Sequence, residues 1–72
     1  MIDFCELGDV FVKLRKRKGL KAYKLSEISG LSKKTISRIE NGNENVTLKS
    51  LDTLAESLGY RLDITFKNRR IK

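Results

Sequence analysis

Seventy-two residues with sixteen Lys and Arg against nine Asp and Glu, a net charge of +7, make one small basic domain, close to the size at which a single core barely suffices. With no His and one Cys, the chain excludes an internal disulfide, a metal site built on His and Cys, and a histidine-paired nucleophile, and points to a reducing compartment. Acids at Asp3, Glu6 and Asp9 stand where a signal peptide needs cations, and no stretch approaches the roughly 20 apolar residues of a membrane span, so a soluble, cytoplasmic protein is expected.

Asp3 followed by Glu6 reads as a capping box that opens a first helix. Phe4, Leu7, Phe11 and Leu14 then recur at three- and four-residue spacing as one apolar stripe, with Val10 beside Leu7. Cys5 and Val12 fall off that stripe, either as ordinary surface apolars or as a contact with a second subunit. The cations from Lys13 to Lys18 suit the negative end of the helix dipole, and Gly19 is the stop. Leu20 anchors the turn into a second helix, about Ala22 to Ser29, with Leu25 and Ser29 facing inward and Gly30 at its end. Ser26 and Ser29 are small enough to permit a close helix approach. Only Gly30, Leu31 and Ser32 separate this helix from the next, which is the helix-turn-helix arrangement.

The third helix is the one the chain is organised around. Ser32 caps its start, and Asn41-Gly42 supplies the left-handed residue at its end. At 100° per residue, Ile36 and Ile39 point one way with Thr35 beside them, while Lys33, Lys34, Ser37 and Arg38 point the other. A cationic, hydrogen-bonding front on an apolar back suits the major groove of double-stranded DNA, where Lys and Arg donate to guanine O6 and N7. An isolated helix of this kind also reads as a plain solvated amphipathic helix; its neighbours decide. After the polar loop Asn43-Glu44-Asn45 and Val46, Thr47 caps a fourth helix. Its stripe of Leu48, Leu51, Leu54, Ala55 and Leu58 makes it the expected floor of the core, and Gly59 stops it.

From Tyr60 the period changes to two: Tyr60, Leu62, Ile64 and Phe66 alternate with Arg61, Asp63 and Thr65, the pattern of a strand. One strand cannot satisfy its own backbone, and the chain offers no second. The simplest partner is the same strand of another copy, paired antiparallel about a two-fold axis, so a homodimer is expected. The basic tail, residues 67–72, is either a solubilising end or an arm that contacts DNA or a partner.

Charge is unevenly placed. Residues 1–12 carry −3, residues 13–38 carry ten basic and one acidic residue, residues 39–66 carry −3 and residues 67–72 carry +4. A basic stretch of this kind is the footprint of a polyanion partner, although charge alone would equally suit ribosomal or membrane-surface binding. A nuclease needs a carboxylate cluster for metal or a His base, and neither is present. No enzyme activity, cofactor, catalytic residue, metal or small-molecule substrate is expected.

Four blocks at consistent spacing carry a resemblance: Leu14-Arg15-Lys16-x-Lys18-Gly19-Leu20, Leu25-x-Glu27-x-x-Gly30-Leu31-Ser32, Thr35-Ile36-Ser37-Arg38-Ile39-Glu40-Asn41-Gly42, and Thr47-Leu48-x-x-Leu51-x-x-Leu54-Ala55-x-x-Leu58-Gly59. Residues 7–59 as a whole resemble the Cro/CI (phage-repressor, XRE-like) helix-turn-helix family. The resemblance implies a mainly α fold with a four-helix DNA-binding domain over residues 1–59, which the dimerisation strand 60–66, read from its two-residue period, follows. It places base reading at Lys33, Lys34 and Arg38 with Ser37 adjacent, and phosphate contact at Ser32 and the Asn41-Gly42 backbone. Lys16 and Thr35 join the expected phosphate set. It also matches Arg15 and Glu40 to a salt bridge tying helix one to the end of helix three, the alternative being two independent surface charges.

Three departures stand out. Where the family commonly has a Ser or Thr cap and a Gln at the start of helix two, this chain has Lys21 and Ala22, leaving Lys21 or Lys24 to supply a less directional phosphate contact. Ser26 replaces the common Ala. A strand follows helix four where many relatives have a fifth helix. That ending, Leu58-Gly59-Tyr60-Arg61-Leu62-Asp63-Ile64, resembles the HipB-type antitoxins of toxin–antitoxin pairs. The expected function is a homodimeric transcriptional repressor on a palindromic operator; the alternative is an antitoxin that also binds a toxin protein and represses its own operon.

Overall fold

The computed structural model describes residues 2–66 and residue 68. Four helices follow one another: α1 (Phe4–Arg17), α2 (Ala22–Ser29), α3 (Lys33–Glu40) and α4 (Leu48–Ser57). Three of the four begin on a side-chain cap. Asp3 accepts from the Glu6 N–H, Ser32 from that of Thr35 and Thr47 from that of Ser50, each satisfying one of the donors a helix start leaves free. α2 starts at Lys21 with no side-chain cap, consistent with the missing Ser or Thr.

Helix ends are equally local. At α3 the Gly42 N–H bonds the Ile39 carbonyl at 3.2 Å and the Asn43 N–H bonds that of Arg38 at 2.9 Å, the paired closure of a Schellman motif. It requires the left-handed residue that Gly42 provides at φ 78°. The ends of α1 and α4 close through the same pair of bonds, Leu20 to Arg15 with Gly19 to Lys16, and Tyr60 to Ala55 with Gly59 to Glu56.

The core is Phe11, Leu25, Ile36, Ile39, Leu51, Leu54, Ala55 and Leu58, with Leu7, Leu14, Leu20, Leu31, Val46 and Leu62 packed around it. Half of the buried set comes from the end of α4 and the residue after it, as its stripe implied. α3 lies at the centre, however, packing against α1, α2 and α4 alike. Leu48 departs from the expected stripe: it is 60% exposed, because the first residue of α4 lies a turn short of the buried stretch that begins at Leu51. Phe4 is half-buried, Val12 half-buried and Cys5 exposed. None of the described helices is long and apolar enough to cross a membrane.

Residues 60–66 carry no regular secondary structure. A strand exists only through hydrogen bonds to a neighbour, and a single copy supplies none here. Leu62 packs on the core, while Tyr60, Ile64 and Phe66 are exposed. The expected basic tail lies outside the described residues, Asn68 excepted.

Candidate nucleic-acid interface

α3 presents two faces that follow directly from its eight residues. Ile36 and Ile39 are 0% and 2% exposed, whereas Lys33, Lys34, Ser37 and Arg38 are all exposed. The four residues expected to read bases therefore form one outward ridge, set by the helical period and by burial of the two isoleucines behind it.

Three contacts fix how that ridge is held. The Arg15 guanidinium donates through Nε to Glu40 Oε2 at 2.7 Å and through Nη2 to Oε1 at 3.1 Å, and its Nη1 donates to the Leu20 carbonyl at 2.9 Å. The two side chains are 16% and 13% exposed. A half-buried, two-pronged pair of this kind is stronger and more directional than a surface ion pair. It joins the last turn of α3 to α1 and to the turn before α2. Second, α1 crosses the end of α3 at Gly8, where a Cβ would lie 2.6 Å from the Ile39 carbonyl oxygen and 2.7 Å from that of Glu40. Third, the turn between α2 and α3 is clamped at Leu31. Ser26 Oγ donates to the Leu31 carbonyl at 2.6 Å and Ser29 Oγ accepts from the Leu31 N–H at 3.1 Å. The two serines thus do more than allow close approach.

The residues expected at phosphates lie around this ridge. Lys16, Lys21, Lys24, Ser32 and Asn41 are exposed, and Thr35 and Gly42 half-buried. Lys24 stands 3.6 Å from Glu27 across an exposed pair, which leaves its charge available because such pairs are weak. Ser32 and Thr35 share a hydroxyl–hydroxyl bond of 3.0 Å beside the α3 cap. The Asn41 N–H is bonded to the Ser37 carbonyl, and those of Gly42 and Asn43 close the helix. A further polar hydrogen at this end is on the Asn41 side chain, whose Nδ2 donates once, to Ser37 Oγ at 3.1 Å. Gly42 packs against Cys5, its Cβ position lying 2.8 Å from the Cys5 Cα.

Gly8 and the Leu31 clamp were not evident from sequence spacing. A lone glycine inside an otherwise apolar-striped helix was the available signal for the first; nothing local marks the second.

A family model described as helix-turn-helix matches residues 12–64, most of the chain. The chain belongs to the Cro/CI-type (XRE-like) helix-turn-helix family of DNA-binding transcriptional regulators. Within the family it is 38% identical over 53 residues to the uncharacterized HTH-type transcriptional regulator y4dJ of Sinorhizobium fredii (strain NBRC 101917 / NGR234), over 74% of this chain and 69% of that protein. Among solved structures it is similar to the restriction-modification controller protein C.AhdI from Aeromonas hydrophila, with a TM-score of 0.76 and 32% identity, over 82% of this chain and 89% of that one. A chain in the structure of the HipA-HipB-O2-O3 complex shares the fold at a TM-score of 0.79 and 22% identity, over 94% and 96% of the two chains. The matched residues include α2, α3 and the short turn between them.

Proposed function

We propose that this family member is a homodimeric repressor that reads an approximately palindromic operator in double-stranded DNA. The observation that carries the reading is the exposed ridge of Lys33, Lys34, Ser37 and Arg38 backed by buried Ile36 and Ile39. Two such ridges enter successive major grooves about 34–36 Å apart. Lys33, Lys34 and Arg38 donate to base edges; with cations and no Gln or Asn on the ridge, each half-site contains guanines. Lys16, Lys21, Lys24, Ser32 and Thr35, together with the second amide hydrogen of Asn41, hold phosphates and supply most of the affinity. Gly42, left-handed at φ 78°, ends the helix directly after Asn41.

Dimerisation runs through residues 60–66. The two-residue alternation of Tyr60, Leu62, Ile64 and Phe66 with Arg61, Asp63 and Thr65, with Tyr60, Ile64 and Phe66 left exposed on the apolar side, supports an antiparallel pairing of the two segments, which satisfies backbone groups one copy leaves unpaired. Selection of bound duplexes from a random pool, with the mass of the free protein measured in solution, tests both halves. Guanine-containing half-sites repeated about one helical turn apart, bound by a dimer, are expected. Conserved A·T pairs alone would refute the base assignment, and a monomer would refute the pairing.

A second reading, an antitoxin that binds a toxin protein and represses its own operon, draws on the exposed apolar segment after Gly59 and its likeness to HipB-type endings. It shares the DNA-binding half. Co-purification of a second chain encoded beside the gene distinguishes it.

A further inference from the structure

We infer that Asn41 is a positioning residue that turns the Ser37 hydroxyl into a hydrogen-bond donor toward the base edge, so that the base facing Ser37 is selected for an oxygen acceptor. The inference rests on α3 being the DNA-reading helix and adds a specificity device to it.

A serine hydroxyl holds one donor and two acceptor sites and rotates to suit its surroundings. In mid-helix it commonly turns back and donates to the carbonyl four residues earlier. Ser57 does so, donating to the Thr53 carbonyl at 2.8 Å. Ser37 makes no such bond among the described residues; its Oγ instead accepts from Asn41 Nδ2 at 3.1 Å. Asn41 is itself held by its own N–H, bonded to the Ser37 carbonyl at 2.9 Å, so both groups of the pair are set by the end of the helix. With one lone pair engaged from the Asn41 side and no intrahelical carbonyl taking its hydrogen, the hydroxyl keeps that hydrogen to offer to a group in front of the helix. At the 6-position of a purine or the 4-position of a pyrimidine, guanine O6 and thymine O4 accept such a hydrogen whereas adenine N6 and cytosine N4 donate; N7 accepts in both purines and does not tell them apart. Ser37 therefore favours the keto bases, guanine or thymine, over the amino bases.

The chemistry also predicts a reversal. In Asn41→Asp the neighbour can only accept, so the Ser37 hydroxyl donates to the carboxylate and turns a lone pair outward. The preference at that one position then moves from guanine or thymine toward adenine or cytosine.

The test is competition binding on four duplexes that differ at a single base pair, the pair being the one whose discrimination Ser37→Ala removes. Wild type is expected to favour guanine or thymine there by about fivefold, the weight of one neutral hydrogen bond. Asn41→Ala flattens that preference, and Asn41→Asp inverts it. In a Ser37→Ala background neither Asn41 variant changes the ratio further, a coupling that mere loss of structure would not produce. Circular dichroism on the same variants checks that the helices persist, as exposed positions lead one to expect. If Asn41→Ala weakens all four duplexes equally and leaves their ratios intact, Asn41 is a phosphate contact only and the inference fails while the recognition helix stands. If the wild-type protein shows no sequence preference on any duplex, the DNA-reading assignment itself fails, and this inference with it.

Discussion

A single guanidinium, that of Arg15, spans three segments, reaching Glu40 at the end of α3 with two nitrogens and the Leu20 carbonyl with the third. Its burial makes it a brace for α3. Lys16, next in the chain, is exposed and faces solvent with nothing to brace. Residue-scale roles can thus be separated by experiment. Arg38→Ala is expected to cost about 1–3 kcal/mol on the operator and to relax one base position. Lys16→Ala should weaken all sequences alike and lower the salt dependence by about one charge. Binding isotherms on operator and random duplexes at several salt concentrations check this, and equal losses on both DNAs for both variants would refute the division. Gly8 is a different kind of residue. Alanine is the better helix former by about 1 kcal/mol, but its Cβ would meet two backbone oxygens at 2.6 and 2.7 Å, which have no rotamer by which to move aside. Overpacking of about 1–3 kcal/mol outweighs the propensity gain, so Gly8→Ala should lower the urea midpoint. A midpoint at or above wild type would show that α1 and α3 can part without cost.

At the scale of elements, α2 is the exception. The other three helices start on an Asp, Ser or Thr that accepts a backbone N–H, while α2 starts on Lys21 and has no side-chain cap. It is held at its other end instead, where Ser26 and Ser29 bind both backbone groups of Leu31. Lys21→Ser should therefore stabilise the fold by about 1 kcal/mol while weakening DNA binding uniformly through the lost cation. Thermal unfolding and a salt titration of binding read the two effects separately; unchanged stability would mean that the first turn of α2 is already satisfied. Helix boundaries were legible because caps and stops act within a turn of the residues that make them. The four residues of the α3 ridge were legible for the same reason, since a 100° period and two isoleucines settle which side is out. Leu48 was misplaced because its periodicity is right but burial depends on what stands opposite, which period does not record.

At the scale of the molecule, α3, the proposed reading element, is the hub, touching all three other helices. Destabilising almost any part of the core will therefore reach the polar ridge of α3. The proposed pairing of two copies is separable from folding because Ile64 and Phe66 are 55% and 93% exposed. Ile64→Asp should leave the helical content of the domain unchanged and convert dimer to monomer. Operator affinity should then fall steeply while binding to random DNA falls little, because only the palindrome needs two ridges at once. Sedimentation and paired binding assays decide it; an unaltered mass would move the dimer contact elsewhere.

By itself, the order of residues determined the four helices, the helix-turn-helix spacing between Ala22 and Glu40, and the polar ridge set against two isoleucines, because each depends on interactions within about a turn of chain. Tertiary structure alone decided that Gly8 admits the end of α3 at the Ile39 and Glu40 carbonyls, and that α3 packs against all three other helices. Those are meetings of groups brought together by packing, and no local period encodes which distant backbone oxygen will stand 3 Å away.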